Sequence, residues 1–170
     1  EFLKNRGIEC PSVFGDPALL LPRFYTPKRM EKRYKLGVIP HVIDWDYDVM
    51  RKIRKERNDI LVIDLAHYDK WTDVIDQICS CEAIASSSLH GLIVSDAYNV
   101  PNCWITLSGK ISGGLFKYFD YFSSVGREEA SPIKVERMSD LQTIENKMVS
   151  WKPITIDTDP ILNSCPFYRA

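Results

Sequence analysis

The sequence holds little of what the most recognisable sites are built from. Three histidines and five cysteines occur in 170 residues. Cys79-Ser80-Cys81 is not a C-x-x-C pair, and no histidine stands at zinc-finger spacing, which excludes a structural zinc module. His41, His67 and Asp64 are of metal-ligand type but lack helical pairing, so no metal is expected. An excess of charge of one sign is also missing. Lys and Arg number 22 against 23 Asp and Glu, a net charge of −1, so nothing in bulk favours a nucleic-acid partner. The basic run from Arg51 to Arg57 is local and reads as a solvated helix end. No apolar stretch approaches the ~18 residues that a membrane-spanning helix needs. No repeat, low-complexity stretch or internal linker breaks the chain. The odd cysteine count and irregular spacing fit reduced thiols in a cytoplasmic protein.

What is present is an alternation of short apolar runs with amphipathic stretches. Strands are predicted at Leu36-Gly37-Val38-Ile39-Pro40, at Ile60 to Leu65, at Ala83-Ile84-Ala85, at Cys103 to Leu107 and, at an edge, at Ile133-Lys134-Val135. Helices are predicted over Asp44 to Asn58, Lys70 to Ser80 and Leu89 to Asn99. Another follows Gly113-Gly114, with Leu115, Tyr118, Phe119 and Phe122 as an aromatic stripe. A last one carries Leu141, Ile144 and Met148 behind a capping box of Ser139 and Gln142. The segment 150–170, with three prolines after Trp151, reads as an extended tail. Strands alternating with helices imply an α/β fold over 1–170, a single Rossmann-like, doubly wound parallel sheet. Glu1 to Gly7 reads as the last turns of a helix stopped by glycine, so part of a longer protein is expected.

Ligands of open parallel sheets bind beyond the carboxyl ends of the strands. Five segments should crowd that edge: Gly15-Asp16 after Pro11-Ser12-Val13-Phe14, His41, Asp64 with His67, the run Ser86-Ser87-Ser88-Leu89-His90-Gly91, and Ser108-Gly109-Lys110. The serine run opens a helix, where hydroxyls, unbonded N–H groups and the helix dipole together favour an anion. His90 lies in the first turn and is of the right type to bind that anion or donate a proton. Serine capping and a structural histidine explain the same residues without a ligand. Asp16 before Pro17 reads as an N-cap, which accounts for it without chemistry. Lys117 lies on another face of the aromatic helix, as a surface lysine or an anion ligand, and the paired glycines allow close backbone approach.

Several segments together resemble the polysaccharide pyruvyl transferase family. They are Gly15-Asp16-Pro17-Ala18-Leu19-Leu20-Leu21-Pro22, Leu36 to His41, Ser86-Ser87-Ser88-Leu89-His90-Gly91 through Tyr98, Pro101 to Ile105, and Phe116 to Phe122. The likeness implies the C-terminal, donor-binding half of a fold similar to two-domain GT-B glycosyltransferases. It implies transfer of a pyruvyl ketal from phosphoenolpyruvate, a co-substrate and not a cofactor, to a sugar of a surface glycan or exopolysaccharide. The acceptor would be a glycan, lipid-linked forms included, and the place cytoplasmic, with peripheral association at the inner membrane face allowed. His90 carries over from the family's central Arg-Leu-His motif. Ser88 stands where the arginine would be, so Lys117 or Arg127 is expected to supply the missing charge. On this reading Ser86, Ser87, Ser88, His90, Lys117 and Arg127 bind phosphoenolpyruvate. His90 is the acid, Asp16 a candidate base, and Gly15 and His41 complete the cleft. Two rival readings stand beside it: a GT-B enzyme using a nucleotide sugar, and a non-catalytic module of a glycan-synthesis complex.

Overall fold

The computed structural model describes residues 4–9, 12–28, 31–110, 114–129 and 131–168. The expected helix end before Lys4, and also Cys10, Pro11 and Gly113, lie outside these residues. Five short strands form one sheet: β1 (Leu36–Ile39), β2 (Ile60–Val62), β3 (Ile84–Ser86), β4 (Asn102–Thr106) and β5 (Ile133–Lys134). Their order is β2-β1-β3-β4-β5 and every pairing is parallel. The chain reverses its winding direction between β1 and β3, so the crevice beyond their carboxyl ends is the topological switch point.

The period-two alternation of the strands explains why both faces are covered. Leu36, Val38, Ala83, Ala85, Cys103 and Ile105 point to one face. They pack against Val49, Met50 and Ile53 of α2 (Asp48–Glu56) and Leu141 and Ile144 of α6 (Leu141–Met148). The opposite face receives Ile39, Ile84 and Trp104. It is covered by α3 (Trp71–Cys79), α4 (Leu89–Ala97) and α5 (Phe116–Ser124). Close approach of α4 to the sheet requires a glycine: a Cβ on Gly91 would collide with Ser86 Oγ and meet Ile39 Cγ2 at 3.0 Å. Burial pushes the Cys79 thiol up to about 11, and those of Cys81 and Cys103 up to about 12, so all three behave as small apolar fillers.

Four sequence expectations are corrected. No strand forms at 12–14, so Gly15 and Asp16 do not follow one. Asp44 lies in a 3₁₀ turn (Val42–Asp44) and not in α2, which starts four residues later at Asp48. The helix α6 is not opened by Ser139 and Gln142. Asp140 instead accepts the N–H groups of Glu136 and Arg137, both at 2.9 Å. The tail also carries a short helix, α7 (Asp159–Asn163), whose buried Ile161 packs with Leu19 and Leu20 of the 3₁₀ turn Pro17–Leu20, which runs directly into α1 (Leu21–Phe24). That contact ties the tail and the Gly15-Asp16 segment to one apolar cluster.

Candidate functional site

Parallel pairing brings the ends of β1 and β3 side by side, with Ile39 opposite Ser86. Past this pair the two chains exchange hydrogen bonds. Ser87 N–H donates to Ile39 O at 3.0 Å, and His41 N–H donates to Ser87 Oγ at 2.9 Å. Ser86 Oγ lies 3.1 Å from Ile39 O and 2.8 Å from Ser88 O, and it accepts Ser88 N–H at 3.0 Å. Both serines are fully buried. Their hydroxyls therefore fasten the loop and are not turned toward a ligand, which corrects the expectation that Ser86 and Ser87 contact an anion through their side chains.

Beneath this loop lies Asp44, a fully buried carboxylate that the sequence pattern places at the start of a helix. It accepts the Ser108 hydroxyl through a short hydrogen bond, Ser108 N–H at 3.4 Å and Ser87 Oγ–H at 3.5 Å. Its own N–H donates to His41 O at 2.8 Å. Asp44 thus joins the loops that follow β1, β3 and β4. The Tyr118 hydroxyl, pushed up to about 12 by burial and then by Asp44, donates to Ser87 O at 2.7 Å. This fixes α5 to the same platform. A buried acid this close to the edge carries no sequence signal beyond its position a few residues after a strand.

Outward of the platform sit the groups with bonding capacity to spare. No side chain caps the start of α4, where Ser88 is half-buried and His90 is exposed. His41 is half-buried, and burial first, then Lys117, holds its imidazole below the usual range, with Asp44 opposing. All three histidines of the chain lie past the carboxyl ends of neighbouring strands: His67 after β2, His41 after β1 and His90 after β3.

Two cavities flank the start of α4. One, about 660 Å³, is lined by Phe14, Gly15, Asp16, Leu89, Lys117 and Asp120 among others. The other, about 390 Å³, is lined by His41, Trp45, Asp46, Asp64, His67 and Ser88 among others. Ser88 borders the second and Leu89 the first, so the helix start forms the wall between them. Asp16 keeps its capping role, accepting Ala18 N–H at 2.8 Å. Among the described residues no cluster of three or more His, Cys, Asp or Glu is placed to hold a metal ion.

One expected ligand is elsewhere. Arg127 bonds Asn102, at the opposite end of β4, and its side chain is only 9% exposed. It donates to Asp96 at 2.9 and 3.1 Å, to Asn102 Oδ1 at 2.7 Å and to Glu129 at 3.1 Å. Its guanidinium also lies 5.0 Å from the centre of the Phe122 ring. Its donors are engaged at the amino edge of the sheet, so Arg127 does not replace the motif arginine at the carboxyl edge.

At this edge the uncapped start of α4 stands between two cavities at the switch point. The family model of polysaccharide pyruvyl transferases matches residues 1–109. The chain belongs to the polysaccharide pyruvyl transferase family. The matched segment contains β1 to β4, both loops carrying His41 and His67, and the whole of α4. Lys117 and Arg127 stand outside it. The chain is also 30% identical over 153 residues to an uncharacterized protein of Acanthamoeba polyphaga mimivirus. That match covers 89% of this chain and 53% of the viral protein, so the chain spans about half the length of the curated relative it matches. No solved structure matches.

Proposed function

We propose that the chain binds phosphoenolpyruvate where α4 begins and serves pyruvyl transfer to a sugar of a surface glycan. It does so as the donor-binding half of a two-domain, GT-B-like enzyme, in the cytoplasm or at the inner membrane face. One observation carries this reading. At the switch point α4 starts without a side-chain cap, Ser88 lines one flanking cavity and Leu89 the other, and among the described residues Lys117 is the only Lys or Arg lining either. The helix dipole and the N–H groups of the first turn favour a phosphate or carboxylate there. Lys117, on the wall of the cavity that Leu89 also lines, adds the positive charge that Ser88 does not supply.

In the proposed chemistry His90 gives a proton to the methylene carbon of the donor. Positive charge then develops on the adjacent carbon, a sugar hydroxyl adds to it, phosphate departs, and a second hydroxyl of the same sugar closes the ketal. A proton donor in contact with the reacting carbon contributes roughly 10²–10⁴-fold to such a step. Asp16 lines the same cavity as Lys117, with one oxygen committed to capping.

The test uses the full-length protein. Phosphate release from phosphoenolpyruvate is followed with methyl galactoside, methyl glucoside and methyl mannoside, and donor binding by calorimetry. The expected result is binding of phosphoenolpyruvate and sugar-dependent phosphate release, with His90→Ala reducing turnover roughly 10²–10⁴-fold while its melting temperature stays unchanged. Binding of a nucleotide sugar in place of phosphoenolpyruvate overturns the reading.

A further inference from the structure

The cavity under the ends of β1 and β2 is not needed to hold the donor, yet it is the better equipped of the two for proton transfer. Asp64 ends the apolar run of β2 and folds the chain back on itself. Its Oδ1 accepts Ala66 N–H at 2.7 Å and His67 N–H at 3.3 Å. Its Oδ2 lies 3.0 Å from His67 Nδ1. The carboxylate is thereby held by two backbone donors while it holds the imidazole. A carboxylate at that distance keeps the proton on Nδ1 and leaves Nε2 as the acceptor, the arrangement that turns histidine into a general base. The His67 side chain is 84% exposed, so its core packing does not explain the pairing.

The lining of this cavity also indicates what it takes. Among the described residues its lining contains no Lys or Arg, and of its two carboxylates Asp46 is paired with Arg54 at 3.6 Å while Asp64 holds His67. Such a lining offers a phosphate-bearing acid no lysine or arginine of its own and suits a neutral polyol. Trp45 adds an aromatic wall whose ring is held by Arg54, with the guanidinium 4.7 Å from its centre. Aromatic faces of this kind pack against the C–H faces of sugars. Ser88, shared between this lining and the helix start, places the cavity directly beside the proposed donor position.

We propose that this cavity is the acceptor-sugar subsite and that His67, oriented by Asp64, is the general base that removes the proton of the attacking hydroxyl. The inference rests on the pyruvyl-transfer reading above. His90 protonates the methylene carbon, which becomes the methyl group. His67 takes the proton of the first hydroxyl as its oxygen bonds to the neighbouring carbon. The carbon–oxygen bond to phosphate breaks with its electrons on the departing group, which receives the proton from His67. The second hydroxyl bonds to the same carbon and returns a proton to His90. No oxidant or further reactant is required.

The deciding experiment removes the imidazole and returns it in solution. In the full-length protein, His67→Gly should bind phosphoenolpyruvate with unchanged affinity by calorimetry. Its turnover with methyl galactoside should fall roughly 10²–10⁴-fold, and added imidazole should restore about tenfold or more of it. Asp64→Asn should lower turnover in the same direction without changing donor affinity. A purely structural loop would not respond to free imidazole. Unchanged turnover in His67→Gly, or a loss that imidazole does not reverse, overturns this proposal and leaves the donor site standing. Failure of the unsubstituted protein to bind phosphoenolpyruvate overturns both.

Discussion

The two ends of the sheet handle polar groups in opposite ways. At the amino edge, Asp96, Asn102, Tyr121 and Arg127 form a closed network. Asp96 accepts Asn102 Nδ2 at 2.7 Å and the Tyr121 hydroxyl at 2.8 Å besides Arg127. Glu129, bonded to Arg127, has Lys147 at 3.5 Å. Each of these charges is answered by a neighbour within the fold. At the carboxyl edge only the inner layer is closed: Asp44, Ser86, Ser87, Ser108 and Tyr118 bond one another and the backbone. The outer layer of Ser88, His90, His41, His67 and Lys117 faces cavities and solvent, its bonds being local ones such as His67 to Asp64 at 3.0 Å and Ile43 N–H to His41 Nδ1 at 3.4 Å. A closed network gives rigidity and unique geometry. A closed layer beneath an open one gives a site, because the open groups are held in place without being neutralised.

The sharpest way to break this comparison is to disrupt the amino edge. Arg127→Met leaves the buried Asp96 carboxylate without its cation, and loss of one partner of a buried pair costs about 3–5 kcal/mol. Urea denaturation should show this loss, while donor affinity of the folded protein stays unchanged. Loss of donor binding with stability intact would return Arg127 to the ligand-binding set. Asp44→Ala tests the other edge. It leaves the Ser87 and Ser108 hydroxyls with an unmet partner, at about 1–3 kcal/mol. Unlike Arg127→Met, it should also weaken phosphoenolpyruvate binding, because the loop joining His41 to Ser88 loses its anchor. Equal effects of the two substitutions on donor affinity would erase the distinction between the edges.

The smallest expected effect is that of pH. The fold lowers the proton affinity of His41 below its ordinary value of 6.5, through burial first and then Lys117. Near that value the unfolded chain binds more protons at this site than the folded one, so stability falls as the solution is acidified through about 6.5. The fall levels off once the pH drops below the folded-state value. His41→Gln should flatten this part of the pH profile in thermal melts, and a profile unchanged by the substitution would remove His41 from the set of groups strained by the site.

The strands and most helices were readable because their signals are local. Ile60 to Val62 and Asn102 to Thr106 are apolar runs bounded by breakers, and α3 repeats Val74, Ile75 and Ile78 on one face. Parallel order then placed His41, His67, Ser88 and His90 at one edge by a topological rule that needs no coordinates. Three features escaped. Asp44 looked like the first acid of a helix, because a charge pattern does not reveal that a 3₁₀ turn carries it inward. Arg127 looked available, because its partners Asp96 and Asn102 lie 31 and 25 residues earlier in the chain. The tail helix α7 is too short to display a period, and its place depends on Ile161 meeting Leu19 and Leu20.

The sequence by itself determined the alternation of elements, the direction of the strands and the edge at which chemistry gathers, since all three follow from hydrophobic period and chain connectivity. Tertiary structure alone decided which polar groups at that edge are satisfied and which remain open. Hydrogen bonds such as those from Ser87 and Ser108 to Asp44, 43 and 64 residues away, depend on distances that no neighbouring residue specifies.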